Sequence, residues 1–171
     1  MAEKVLVAYA SKYGATKEIA ERIGRVLKDA GLWVEVRDVE EAHGLDSYQG
    51  IVLGSAVYAG GWRKEAADFL KANEQALARR PVWLFSSGPT GEGDPVELMQ
   101  GWRFPEALQP IAEKVNPRQI AFFGGELDLD KLNLPEKLIV KAMKAPVGDY
   151  RDWATIEPWA REIAEALEES E

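Results

Sequence analysis

The chain contains no cysteine, which removes disulfides, thiol nucleophiles, iron-sulfur clusters and thiolate metal sites from consideration. It has one histidine, His43, in a polar connection without companion ligands, so it forms neither a metal site nor a triad and reads as a solvent-facing turn residue. No Gly-x-Ser-x-Gly elbow, dinucleotide glycine fingerprint or Gly-Lys-Ser/Thr phosphate loop is present. No apolar run approaches the roughly 20 residues of a transmembrane segment. The Met1-Ala2-Glu3-Lys4 start lacks the apolar core of a signal peptide, so a soluble cytoplasmic protein is expected. Basic residues are in deficit, 21 Lys and Arg against 29 Asp and Glu, for a net charge of -8. That balance argues against nucleic acid or an anionic membrane surface as the main partner and leaves basic proteins open.

What the chain does have is 171 residues, enough for a single domain over 1–171, and ample aromatics in six Trp, five Tyr and five Phe. Residues 5–9 read as a buried strand, and Ile19, Ala20, Ile23, Val26 and Leu27 then recur at helical spacing up to a stop at Gly31. Residues 32–36 and 50–58 read as the second and third strands, and 63–79 as one helix with Ala66, Ala67, Phe69, Leu70 and Leu77 on its apolar side. Residues 82–85 and 119–124 supply two further strands, and 105–115 a helix that Pro110 should disturb. Residues 126–150 form an extra segment, within which 135–143 is expected to be a short helix packed on the core. Residues 153–169 close the chain as an amphipathic helix, Trp159, Ile163, Ala166 and Leu167 inward, with a frayed acidic end.

Nearly continuous apolar strands alternating with helices indicate an α/β parallel sheet covered on both faces. Right-handed crossovers make it a doubly wound three-layer sandwich, with ligands beyond the carboxyl ends of the strands. The loops at those ends are distinctive. The first, 10–16, holds Ser11, Gly14 and Thr16 ahead of a helix, where unpaired backbone amides and the helix dipole favour an anion; Thr16 stands where a cap would be. The third-strand loop ends in Gly60, Gly61 and Trp62, and the fourth, 86–95, is too long for a mere connection. A phosphorylatable receiver domain is excluded, because Ala10-Ser11 and Gly54-Ser55 stand where its acidic residues are needed.

The run Val7, Tyr9, Ser11, Gly14, Thr16, Ala20 and Ile23 resembles the flavodoxin signature, with Ala8 departing where a larger residue is usual. The resemblance covers nearly all of the chain except 126–150 and implies a flavodoxin-like, five-stranded parallel sheet of order 2-1-3-4-5 that binds flavin mononucleotide (FMN). Residues Ser11, Lys12, Tyr13, Gly14, Ala15 and Thr16 would then hold the phosphate. Ser55, Ala56, Val57, Tyr58, Gly60, Gly61 and Trp62 would line the isoalloxazine ring, with Tyr58 or Trp62 stacked on it. A flip of the Gly60-Gly61 peptide would offer a carbonyl to a protonated ring N5. Ser87, Gly88, Pro89, Thr90 and Gly91 would meet the ring's polar edge, with Glu92 and Asp94 lowering its potential.

Residues 54–62 also resemble the branch of that superfamily containing menaquinone-dependent protoporphyrinogen dehydrogenases, as do, more loosely, Lys12 and the basic, Met-containing helix at 137–144. The acidic, Gly- and Pro-rich loop after the fourth strand departs from that branch. The expectation is an FMN electron carrier serving redox partner proteins; the alternative is an FMN enzyme passing electrons from protoporphyrinogen to a quinone.

Overall fold

The computed structural model describes residues 4–169, so the start at Met1 and the last two residues of the acidic end, where fraying is expected, lie outside it. The chain runs β1 (Lys4–Ala10), α1 (Ala15–Asp29), β2 (Trp33–Asp38), β3 (Tyr48–Tyr58), β4 (Gly61–Trp62), α2 (Lys64–Ala72), α3 (Glu74–Ala78), β5 (Val82–Ser87), α4 (Pro95–Leu98), α5 (Gln109–Val115), β6 (Gln119–Phe123), β7 (Glu126–Leu127), α6 (Leu134–Met143), β8 (Gly148–Asp149) and α7 (Trp153–Glu169). The five long strands pair in parallel in the order β2-β1-β3-β5-β6, which is the expected topology once the short β4 is set aside.

Side chains alternate across a strand, and the two faces divide accordingly. Leu6, Ala8, Ile51, Leu53 and Leu84 pack with Ala66, Leu70, Leu77 and Val115 from α2, α3 and α5. Val5, Val7, Val52, Trp83 and Phe85 pack with Ile19, Ile23 and Leu27 of α1 and Ile156, Ile163 and Leu167 of α7. Both faces are dry, which is why the strands carry almost unbroken apolar runs.

Four features differ from the sequence expectations. The 63–79 helix is two helices, broken at Asn73, whose side-chain amide donates to the Phe69 carbonyl at 2.9 Å and competes with helix continuation. Only the second half of 105–115 is α-helical, and Pro110 sits in the first turn of α5, where its missing N–H is harmless. A hairpin absent from the expected topology folds β4 back antiparallel on the end of β3; both residues of its turn, Ala59 (φ 51°) and Gly60 (φ 76°), are left-handed, the type I′ geometry. Finally, α6 buries no residue: Leu134, Leu138, Ile139 and Met143 are 58–73% exposed, so it is not a core helix.

Candidate functional site

Parallel register brings four strand ends into one row, Ala10 beside Ser55, Ser55 beside Ser86, and Ser86 beside Phe122. The loops leaving β1, β3, β5 and β6 therefore emerge at one edge, where they enclose a cleft of about 310 Å³, within the range of small-molecule sites. Ser11, Tyr13, Ala15, Thr16, Ala56, Val57, Tyr58, Ser87, Gly88 and Thr90 line it.

At its phosphate-like end, Gly14 adopts φ 96° to turn the chain from strand into α1, a conformation that L side chains resist. Its N–H donates to the Ser11 hydroxyl oxygen at 3.1 Å. Thr16 is buried in the first turn and is not the cap; no side chain caps α1 at all, because the left-handed Gly14 occupies the cap position. The first-turn amides are thus left for a ligand, and an anion is favoured there.

The other predicted residues lie outside the lining. Trp62 is 8% exposed, edge-on to Phe104, and its indole N–H donates to the Ser86 hydroxyl at 2.8 Å, so of the two aromatic candidates only Tyr58 lines the cleft. Ser55 is fully buried and bridges the Ala56 carbonyl and the Arg63 amide. Gly60 and Gly61 belong to the β3-β4 hairpin, Pro89 accepts the Gly125 amide at 2.8 Å, and Gly91 is so placed that a β-carbon on it would meet Pro146 and Leu98. Asp94 caps α4 by accepting from the Val96 amide at 3.0 Å, and Glu92 is exposed.

Sequence reasoning missed the far wall. Ala59, Gly125, Glu126, Leu127, Val140, Met143 and Ala145 complete the lining, six of them from the segment after β6. The signal was available, since a loop leaving the fifth parallel strand must emerge at the ligand-binding edge. Arg151, its side chain 6% exposed, holds this segment in place. Its guanidinium donates to Asp149 (2.8 Å), Glu126 (3.2 Å), Glu18 (3.0 Å) and the Ala15 carbonyl (3.3 Å), tying the β7-β8 pair to the first turn of α1.

A second tie comes from α6. Glu136 completes a capping box with Asn133, and its carboxylate also reaches the first loop, accepting from the Tyr13 hydroxyl and from Lys12 Nζ at 3.0 Å. The Tyr13 hydroxyl first, then the Asn133 amide and Lys12, hold its pKa down at about 2 from an ordinary 4.5. A depressed carboxylate contributes stability above its unfolded value, so the tether is complete above about pH 4.5 and is lost as pH falls toward about 2. Hydrogen-exchange protection of the α6 amides is expected to drop across that window, and Glu136→Gln should show the lowered protection at neutral pH. Unchanged α6 protection in that variant would sink the tether.

With this geometry in view, the flavodoxin domain family model matches residues 6–153. The chain belongs to the flavodoxin family. Membership implies FMN, and the uncapped α1 amides, the Ser11 hydroxyl and the Tyr58 ring suit a phosphate and a flat ring system. Among curated proteins, this flavodoxin-family chain is 24% identical over 182 residues to the protoporphyrinogen IX dehydrogenase [quinone] of Escherichia coli (strain K12), covering 94% of each. Among solved structures it resembles the Streptococcus pneumonia TIGR4 flavodoxin, with TM-score 0.60, 16% identity, and 98% of this chain and 99% of that one covered. It also resembles the Flv1 flavodiiron core from Synechocystis sp. PCC6803, with TM-score 0.64 and 17% identity over 99% of this chain and 37% of that one. Among the described residues no helix is long and apolar enough to cross a membrane.

Proposed function

We propose that residues 1–171 act as one cytoplasmic, FMN-binding redox domain that passes electrons between partners. The observation that carries this reading is the row of strand ends that sets an uncapped helix start and an exposed tyrosine in one cleft. The first-turn amides of α1, with the Ser11 hydroxyl and the Lys12 ammonium, hold the phosphate. Tyr58, 45% exposed, gives its ring face to the isoalloxazine, while Ser87, Gly88 and Thr90 meet the polar edge. The Gly60-Gly61 peptide lies in a turn that already tolerates positive φ, so a flip there would offer a carbonyl to a protonated ring N5. FMN, when bound, supplies one- and two-electron redox chemistry.

Binding isotherms test this directly. The apoprotein should take up FMN at least about 100-fold more tightly than riboflavin, the difference expected for a charged ligand hydrogen-bonded by several amides. Tyr58→Ala should weaken FMN by about 5- to 10-fold through lost stacking. Equal affinity for FMN and riboflavin would refute the phosphate role of α1.

A second reading is supported by the end-to-end alignment with the protoporphyrinogen IX dehydrogenase [quinone] and by the apolar wall that Val140 and Met143 add to the cleft. In it the cleft edge oxidises a protoporphyrinogen and a quinone is the acceptor. Anaerobic mixing of the FMN-loaded protein with protoporphyrinogen and a menaquinone analogue separates the two. Turnover selects the enzyme, and its absence alongside reversible reduction of the bound flavin selects the carrier.

A further inference from the structure

Among the described residues, five of the nine exposed large hydrophobic side chains lie on α6 and just beyond it, at the mouth of the cleft. Leu134 is 70% exposed, Leu138 61%, Ile139 58%, Met143 73% and Val147 49%. At about 100° per residue, the four that lie on the helix fall within roughly half of its circumference. Lys137 and Lys141 fall within about 40° of each other on one flank of that stripe, and Lys144 follows directly as the left-handed cap residue. None of these lysines makes an ion pair among the described residues. The remaining arc, with Glu136 and Val140, faces the protein: Glu136 bonds Lys12 and Tyr13, and Val140 lines the cleft. The one acidic group within the helix is therefore already engaged, and α6 presents unpaired positive charge on a chain whose net charge is -8.

We propose that α6 is an interfacial helix that docks this protein on an anionic lipid surface, its aliphatic stripe among the acyl chains and its lysines on the headgroups. Docking of this kind does not rest on the flavin reading. Its amphipathic pattern, aliphatic on one arc and lysine on the flank, is that of helices lying in the plane of a membrane interface. A second copy fits less well, because an antiparallel two-fold pairing through the stripe would set the two lysine flanks on the same side without acidic partners. A protein groove fits less well too. Protein interfaces are depleted in lysine and anchored by Tyr, Trp and Arg, and this face offers none of those anchors. The acidic composition of the whole chain, which argues against a membrane surface, is a statement about the average; the charge on α6 has the opposite sign. Because Val140 and Met143 also line the cleft, docking sets the cleft mouth at headgroup depth.

Vesicle co-sedimentation of the full chain tests the proposal, using vesicles of equal phosphatidylglycerol and phosphatidylcholine against vesicles of phosphatidylcholine alone. Binding is expected to the anionic vesicles, at least about 100-fold tighter than to the neutral ones, since each lysine near such a surface contributes a factor of about five. The Lys137→Gln, Lys141→Gln, Lys144→Gln triple variant should lose a similar factor. Leu138→Ser with Ile139→Ser should also bind at least 10-fold more weakly, with FMN affinity unchanged because neither residue lines the cleft. Both variants alter exposed or half-exposed positions, and unchanged thermal midpoints confirm that they fold. Equal binding to both vesicle types, no binding to either, or binding insensitive to both variants overturns the proposal. So does concentration-dependent self-association that the Leu138/Ile139 variant abolishes while vesicles are ignored.

Discussion

Alanine at Gly54 is expected to destabilise the protein by about 3 kcal/mol, the upper part of the range for overpacking a core. In a chain of this size that lowers the thermal midpoint by roughly 6 to 12 °C. Gly54 lies in β3, the central strand, in register with Tyr9 of β1 and Phe85 of β5. A β-carbon there would fall on the ring of Phe85. That ring is fully buried and has no room to rotate away, because Trp159 packs edge-on at 6.2 Å and Phe123 lies at 6.0 Å. The backbone at Gly54 is ordinary strand, so the residue is glycine for space and not for conformation. The coupling is checkable. Urea unfolding of Gly54→Ala, Phe85→Leu and the double variant should show the double to be more stable than the sum of the singles by at least about 1 kcal/mol. Strict additivity would mean that the alanine is accommodated elsewhere.

Replacing Arg151 by leucine should have the second largest effect, and it should be local. Breaking a buried ion pair by removing one partner costs about 3 to 5 kcal/mol, and a discount to about 2 to 3 applies here because its carboxylate partners Glu18 and Asp149 are 50% and 42% exposed. The loss falls on the seam between α1 and the β7-β8 pair, since both are held by the one guanidinium. Residues 126–149 should become the first site of limited proteolysis, and FMN affinity should fall about 10-fold because Glu126 and Leu127 form part of the cleft wall. Arg151→Lys keeps one charge without the planar fork, and should recover less than half of the loss. Proteolysis beginning elsewhere, with FMN affinity intact, would show the seam to be redundant.

The sheet was legible in the sequence because its physics is local and repeated. Buried parallel strands need apolar residues on both faces, and runs such as 5–9 and 82–85 have them. The first loop was legible because a strand, a small turn and a helix follow one another without a gap. Trp62 and Tyr58 could not be told apart, since only three residues of hairpin separate them and the turn at Ala59-Gly60 decides which ring goes where. Asn73 is in sequence like any polar helix residue, and only the placement of its amide on the Phe69 carbonyl marks the break. In α6 the periodicity correctly announced a helix, yet periodicity does not say what covers the apolar side. Core packing is the usual answer, and here the side chains are exposed.

The parallel register has a kinetic consequence. Each ladder of the five-stranded sheet joins strands separated by a crossover, whereas the β3-β4 ladder closes over a two-residue turn. Loop closure must therefore precede nearly every rewarding contact, which places folding toward the slow side for a mixed α/β chain. β6 is an edge strand, and Gly125 to Leu127 follow directly from it. Until that strand has zipped onto β5, the cleft has one side only. The complete cleft is therefore assembled only when the edge of the sheet is.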